Sequence, residues 1–236
     1  MTDSDPTAQS ASRPIVEASD LRVTVAGTRT RLHVDIAVRP GELHLIHARQ
    51  PTFSTAIADA LIGVDAHPSA AVRFCGAPWD DLSTDEACQQ RRRVGRVRAV
   101  GNWMDSRPLI RDMLLPLQHH TVISERQLRT QAGALARHFG LPGLPIQPPG
   151  DCTPQDLERA ACVRAFLGRP LLVVLEHPMA FADGGLLGPL VAAIRQVHRR
   201  GGAVIWFTEH ESQVADDSLP AGHRYHMVGG RLLPVG

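Results

Sequence analysis

Alternating apolar and polar positions early in the chain predict antiparallel strands. Apolar residues recur every second position at Leu21, Val23 and Val25, and again across 32–38. This period of two is that of strands with one buried face. Residues 1–13, which come before it, are polar and rich in Ser, Thr and Asp, and are expected to form a disordered tail.

Breaks in this pattern separate the next predicted elements. Pro40-Gly41 ends the paired strands, and the apolar run 43–46 then predicts a buried strand. A helix of small residues is expected from about Ser54 to Leu61. A further hairpin is predicted with turns at Pro68 and at Gly76-Ala77-Pro78.

The middle of the chain predicts a helix and then an extended linker. Ser124 and Gln127 form a capping box, and one helical face then carries apolar residues until Gly140 ends the helix. The apolar positions are Leu128, Ala132, Leu135 and Phe139. Four prolines, at positions 142, 145, 148 and 149, predict the linker.

The last third of the sequence indicates an α/β arrangement. Near-continuous apolar strands at 171–175 and 203–207 alternate with helices, the first of them at about 154–167. Such strands are typical of a parallel sheet that is covered on both faces. Residues 225–233 predict a small closing hairpin around Gly229-Gly230.

Composition adds one strong exclusion. All 25 basic residues are arginine, so any mechanism that needs a lysine ammonium is excluded. The net charge of +1 predicts no overall attraction to nucleic acid or anionic lipid. The densest charge run is expected to form a solvated face, with a docking patch as the alternative. It consists of Arg91, Arg92, Arg93, Arg96 and Arg98.

Cysteine spacing and hydropathy bound the location of the protein. The four cysteines lack zinc-like spacing and are expected to be reduced thiols in a cytosolic protein. No apolar run approaches the roughly 18 residues of a membrane-spanning helix, so any membrane role is expected to come through a partner.

The order of elements and several short segments resemble the ATP-binding cassette subunits of ABC transporters, from about Ile15 to Val235. Arg39-Pro40-Gly41-Glu42 precedes the strand that leads to the phosphate loop, and Ser54-Thr55 lies in the next helix. The helix at 158–165 is similar to the family's Q-R-v-a-i-A-R-A segment. Glu176-His177-Pro178 follows a hydrophobic strand, and Asp183 takes the D-loop position. The resemblance implies an α/β, P-loop NTPase-like ABC nucleotide-binding-domain fold with an antiparallel β subdomain and a helical subdomain. It implies a single domain over 14–236, with the helical lobe at about 103–150.

Two further segments narrow the resemblance. Residues 101–106 and 115–121 are similar to G-a-L-F-D-S-L and F-P-L-r-E-H-T, which are typical of the ATPases of Mla (MCE-protein) phospholipid transporters. Generic helical-lobe sequence is the alternative, since L-P-L also occurs in lipoprotein-release and FtsE-like relatives.

The phosphate-binding loop of the family is replaced in this sequence. A working G-x-x-x-x-G-K-[ST] loop uses glycines to curl backbone N–H groups around phosphate and a lysine to neutralise it. In the aligned stretch, His47 and Thr52 replace the glycines, Pro51 removes a donor and Phe53 replaces the lysine. The vestigial nucleotide-binding positions are His47, Arg49, Thr52, Phe53, Ser54, Thr55 and Glu176. Arg49 as a phosphate ligand, and Ser54 as a helix cap or a magnesium ligand, remain alternatives.

The other family motifs are replaced as well. Ala99 takes the Q-loop glutamine position, His177 the catalytic glutamate and Glu209 the switch histidine. An adenine-stacking aromatic is missing before Gly27. The signature and dimer face aligns with Thr153, Pro154, Gln155, Asp156 and Asp183. Thr153 followed by Pro154 makes a good helix start, but Pro154 removes a donor and Asp156 places a carboxylate near a partner's phosphate.

No metal site and no cofactor are predicted, with ATP and magnesium expected only if the vestigial site still binds. The pairs Glu176-His177 and Glu209-His210 lack a third ligand of recognisable spacing. His44, His47 and His119-His120 are therefore expected to be structural or surface residues.

These residues predict a non-hydrolysing cassette subunit that docks on a permease or a partner ATPase, either as a homodimer or as a heterodimer. Lipid cargo of the Mla/MCE type is expected, with a peripheral position on the inner face of the cytoplasmic membrane. One alternative is an ATPase with substitute residues, Arg49 for lysine and Glu176 or Glu209 as the carboxylate. The other is a free-standing regulatory scaffold.

Overall fold

A computed structural model of the protein describes residues 13–64, 72–99, 103–118, 123–181 and 184–235. The expectations for the 1–13 tail up to residue 12, for the Pro68 turn, for Gly101-Asn102, for 119–121 and for Asp183 lie outside these residues. Among the described residues, no helix combines the length and the apolarity that crossing a membrane requires.

Across the residues that the structure describes, ten strands form one mixed sheet in the order β5-β4-β1-β2-β10-β9-β3-β8-β7-β6. The strands are β1 (Val16–Thr24), β2 (Arg31–Val38), β3 (Leu43–His47), β4 (Val72–Phe74), β5 (Ala77–Pro78), β6 (Val94–Val97), β7 (Leu172–Glu176), β8 (Ala203–Thr208), β9 (His223–Val228) and β10 (Arg231–Pro234). The β9-β3-β8-β7-β6 half is parallel, and β1, β2, β4 and β5 pair antiparallel. This confirms the predicted fold class.

Seven α-helices lie between these strands in the described part of the chain. They are α1 (Pro51–Leu61), α2 (Thr84–Arg91), α3 (Leu109–Gln118), α4 (Glu125–His138), α5 (Pro154–Phe166), α6 (Leu187–Arg199) and α7 (Glu211–Val214). The capping box at Ser124 is formed, because its hydroxyl accepts from the Gln127 N–H and the Gln127 side chain accepts from the Ser124 N–H. Two 3₁₀ turns, at 79–81 and 149–151, complete the regular structure.

Alternate side chains of the parallel strands supply two hydrophobic cores. Val173 and Leu175 pack with residues of α3 to α6 in the first core, and Leu172 and Val174 pack with α1 and the antiparallel strands in the second. The predicted parallel sheet is therefore covered on both faces, as its near-continuous apolar strands require.

Two boundaries differ from the prediction. Helix α1 begins at Pro51 rather than near Ser54, because proline fits the first helical position, where no N–H partner is needed. The β4–β5 turn is Cys75-Gly76, with positive φ at both residues, so Ala77 and Pro78 belong to β5 and not to the turn. Positive φ at both central residues is the geometry of a tight hairpin turn.

Candidate functional site

The vestigial phosphate loop runs from the end of β3 directly into α1 without forming an anion cradle. No residue from 47 to 55 has positive φ, so the backbone lacks the alternation that turns successive N–H groups toward one point. The Ala48 N–H donates to the Thr208 carbonyl at 2.9 Å, and the Phe53 N–H donates to the Gln50 carbonyl at 2.9 Å. Both donors are therefore bound to the protein itself.

The side chains of this loop do not converge on a phosphate position. Arg49 and Thr52 are exposed, whereas Phe53, in the lysine position, is half-buried and packs against the second hydrophobic core. A phenyl ring held by apolar neighbours offers no charge to a phosphate group.

His47, in the position of the first framework glycine, is bound by neighbouring elements. Its Nε2 lies 3.2 Å from the Glu209 carbonyl, and its Nδ1 lies 3.0 Å from Nδ1 of His226. A carbonyl only accepts, so His47 donates through Nε2 to the Glu209 carbonyl. The ring thereby links β3 to β9 and to the segment after β8.

Ser54 and His177 form a buried pair at the place where magnesium would be expected. The Ser54 Oγ lies 2.9 Å from Nε2 of His177, and both residues are buried. His177 has positive φ (48°) directly after β7, a strained backbone for a residue with a Cβ. Burial lowers the pKa of His177, against the opposing influence of the Glu209 and Glu176 charges. A neutral imidazole therefore replaces the expected catalytic carboxylate.

Glu176, the strand-end carboxylate, is already paired with cationic and hydroxyl donors. It is 0% exposed, accepts from the Thr55 hydroxyl at 2.6 Å, and accepts from Nε of Arg96. The same guanidinium also donates to Asp59 of α1, and the Ala99 N–H lies 3.5 Å from Glu176. Burial disfavours the charge on Arg96, but the carboxylates of Glu176 and Asp59 outweigh it and raise the pKa of Arg96.

The expectation that the arginine run forms a solvated face is wrong for Arg96, because its side chain is only 10% exposed. Arg91 donates to the carbonyls of Ile62 and Gly63, and the guanidinium of Arg93 lies 5.9 Å from the Phe74 ring centroid. The sequence reasoning missed Arg96 and Asp59 as site residues. An arginine alternating with Gly95 and Val97 in a short strand was the only local signal.

The signature segment starts α5 as predicted from its cap. The Thr153 hydroxyl accepts from the Asp156 N–H at 3.1 Å, and Pro154 occupies the first helical turn. Asp156 is turned toward Arg159 of the same helix, at 3.4 Å. Gln155 is half-buried in the first turn.

An apolar cleft of about 310 Å³ connects α5 with the strand ends. Its lining includes Ala99, Trp103, Pro154, Leu157, His177 and Phe181. The structure thus brings the positions of the Q-loop, the signature and the catalytic residue together around one cleft. The side chains that they place there are mainly apolar.

The switch position lies at the edge of this region. Glu209 and His210 are both about half exposed and lie 3.9 Å apart. Within the described residues, the one close group of three potential metal ligands is Glu42, His44 and His223, at the amino ends of the interior strands β3 and β9. Glu176, the strand-end carboxylate, is already bound by Arg96 and by the Thr55 hydroxyl.

Comparison with known sequences relates the chain to transporter ATP-binding proteins. It is 22% identical over 204 residues (86% of this chain and 56% of the relative) to the methionine import ATP-binding protein MetN of Rhizobium johnstonii. It is 23% identical over 184 residues (77% and 26%) to the macrolide export ATP-binding/permease protein MacB of Syntrophobacter fumaroxidans. The chain therefore spans from about a quarter to just over half the length of these two relatives. No protein-family model matches the sequence.

Comparison with solved structures confirms the fold. The dimeric structure of MJ0796, a bacterial ABC transporter cassette, superposes with a TM-score of 0.77 and 16% identity, over 92% of this chain and 96% of that one. The chain has the ABC cassette fold and is related in sequence to the ATP-binding subunits of ABC transporters.

Proposed function

We propose that this relative of the ABC transporter ATP-binding subunits is a non-hydrolysing cassette subunit, a pseudo-ATPase that acts through binding to other proteins. The fold is retained, with both hydrophobic cores filled and the parallel strands in register. The residues that would act on a nucleotide are replaced at the loop, at the strand end and at the switch.

The observation that carries this proposal is the pairing of Arg96 with Glu176. In a phosphoryl-transfer site of this class, the strand-end carboxylate and the loop hydroxyl hold magnesium. Here a guanidinium binds the carboxylate, and an imidazole binds the Ser54 hydroxyl. A magnesium ion would have to displace an internal cation from a fully buried partner, and no lysine is present to neutralise the phosphates.

We further propose that the chain docks on a permease or on a partner cassette at the membrane surface. MacB is described as an ATP-binding/permease protein, and the MJ0796 cassette was solved as a dimer. In such an assembly, Thr153 and Pro154 at the start of α5 would face the partner's nucleotide, and Asp183 would do so by resemblance. The residues of the helical lobe, about 103–150, would face the permease. Lipid cargo of the Mla/MCE type rests on the 101–106 and 115–121 segments alone.

Calorimetric titration with Mg-ATP tests the loss of nucleotide chemistry. We expect a dissociation constant weaker than about 1 mM and no hydrolysis above a protein-free blank. An ABC cassette with an intact phosphate loop, titrated in the same buffer, is the positive control. Micromolar binding would overturn the proposal. If Arg49→Ala then abolished this binding of Mg-ATP, the alternative of an ATPase that uses Arg49 in place of the lysine would be correct instead.

Purification of the tagged chain from detergent-solubilised membranes tests the docking proposal. We expect a permease to be recovered with the chain in stoichiometric amount. Recovery of the chain alone from membranes and from the supernatant would contradict docking and support the free-standing scaffold.

A further inference from the structure

Two histidine pairs lie across the neighbouring parallel strands β3 and β9. The register places His44 opposite His223 and His47 opposite His226. Residues three apart on a strand point to opposite faces, so the pairs lie on different sides of the sheet. The His47–His226 pair belongs to the vestigial loop, whereas the His44–His223 pair lies at the amino ends of the strands, where Glu42 joins it.

The geometry points to a divalent transition-metal site, of the zinc class, formed by Glu42, His44 and His223; this is our own proposal. Their ligand atoms all lie within 4.8 Å of one another. The Glu42 carboxylate lies 3.0 Å from Nε2 of His44 and 3.5 Å from Nε2 of His223. In tetrahedral coordination with bonds of about 2.0 Å, ligand atoms are about 3.3 Å apart, so little movement is needed to admit the ion.

The ligand set also has the chemistry that zinc requires. Two imidazoles and one carboxylate are typical zinc ligands, and a fourth position then stays open to water.

The surroundings hold the ligands in place and leave access from solvent. The Arg39 N–H donates to the Glu42 carboxylate at 2.7 Å. His44 is 1% exposed, and its ring stacks on that of Tyr225 with 5.6 Å between the ring centroids. A surface groove of about 380 Å³ reaches His44 and His223. Carboxylates of Glu17 and Asp35 line this groove and offset the positive charge of Arg39, which also lines it.

Sequence spacing could not reveal this site, because His223 follows His44 by 179 residues. The sequence predicted no metal site and a structural role for His44. A hydrogen-bonded cluster without metal is the competing explanation, and it requires the same contacts.

Zinc binding to the tag-free full chain, measured by competition with a chromogenic chelator, tests the proposal. We expect one Zn²⁺ per chain. The affinity for zinc should be at least about 10-fold weaker in His223→Ala and in Glu42→Gln, because even the loss of a residue that only holds a ligand in place weakens metal binding by that much. His223 is partly exposed and the glutamine keeps the shape of Glu42, so both variants are expected to fold, which circular dichroism checks. Co²⁺ should give a visible d–d spectrum that both variants lose.

His210→Ala is the matched control, because it removes an exposed histidine beside a glutamate that has no third ligand nearby in the described residues. We expect its zinc affinity to equal that of the unmodified chain. Absence of stoichiometric zinc binding, or equal affinity in all variants, would overturn the site. Neither result bears on nucleotide binding, which concerns residues at the carboxyl ends of β3 and β7.

Discussion

At the scale of single residues, the cluster of Arg96, Glu176 and Asp59 shows how a guanidinium stabilises a buried carboxylate. Glu176 is fully buried, and an unpaired charge there would be strongly unfavourable. The Arg96 side chain, 10% exposed, donates to both carboxylates and so connects β6, β7 and α1. The guanidinium thus stabilises the positions that a bound cation would stabilise in a nucleotide site.

We predict that Arg96→Met lowers the free energy of unfolding by about 3–5 kcal/mol, because it leaves buried Glu176 without its cation. Adding Glu176→Gln to Arg96→Met should restore part of the loss, since the buried charge is then removed. Urea unfolding of the two single variants and the double variant measures the coupling. Strict additivity of the two single effects would contradict this interpretation.

At the scale of elements, the two helix starts that carry a capping residue, Ser124 and Thr153, were predicted correctly, whereas buried ion pairs were not. The Ser124 box and the Thr153-Pro154 start are local signals, and both were confirmed at the predicted residues. Arg96 meets Glu176 only because β6 pairs with β7 in a register that sets Arg96 beside Val174. No local pattern encodes that register, so the expectation of a solvated face, which Arg92 and Arg93 meet, was wrong for Arg96.

The beginning of α1 shows the same limit. Pro51 was interpreted as a residue that spoils a loop, whereas in the structure it begins the helix. Similarly, the Ser54–His177 and Glu42–His223 contacts join residues that are far apart in sequence. That residues 47–55 contain neither glycine nor lysine can be read from the sequence, but the contacts that Ser54 and Glu176 make in the structure could not be predicted from it.

We predict that Thr153→Ala lowers the free energy of unfolding by about 1 kcal/mol, because the Asp156 N–H loses the hydroxyl that it bonds at 3.1 Å. Thr153→Ser keeps that oxygen and should be close to neutral. Chemical denaturation of both variants measures the difference. Equal stability of the alanine and serine variants would show that the cap contributes nothing to α5.

At the scale of the whole molecule, buried His177 and half-buried His198 are expected to make stability depend on pH. Burial lowers the pKa of His177 and of His198 below the ordinary value of 6.5, opposed in His198 by a hydrogen bond to the Glu42 backbone. The unfolded chain then binds these protons at a higher pH than the folded chain does. Stability should therefore decrease as the pH falls below about 6.5, until the folded-state pKa values are passed.

We predict that His177→Asn reduces this acid-induced loss of stability, because the titrating ring is removed. Asparagine tolerates the positive φ at position 177 better than most residues and keeps a polar group near Ser54. Unfolding free energies between pH 7.5 and 5.5 measure the slope, and His210→Asn supplies the control for loss of an exposed imidazole. If His177→Asn left this slope unchanged, titration of His177 would not be a cause of the acid-induced loss of stability.

The position of the β9–β10 hairpin in the sheet has a consequence for biosynthesis. These strands lie between β2 and β3, so they join the antiparallel half to the parallel half. Until residues 223–234 leave the ribosome, β2 and β3 each present an open edge, and exposed edges invite pairing with other chains. The nascent chain must therefore be protected from aggregation until nearly all of the described residues have been translated.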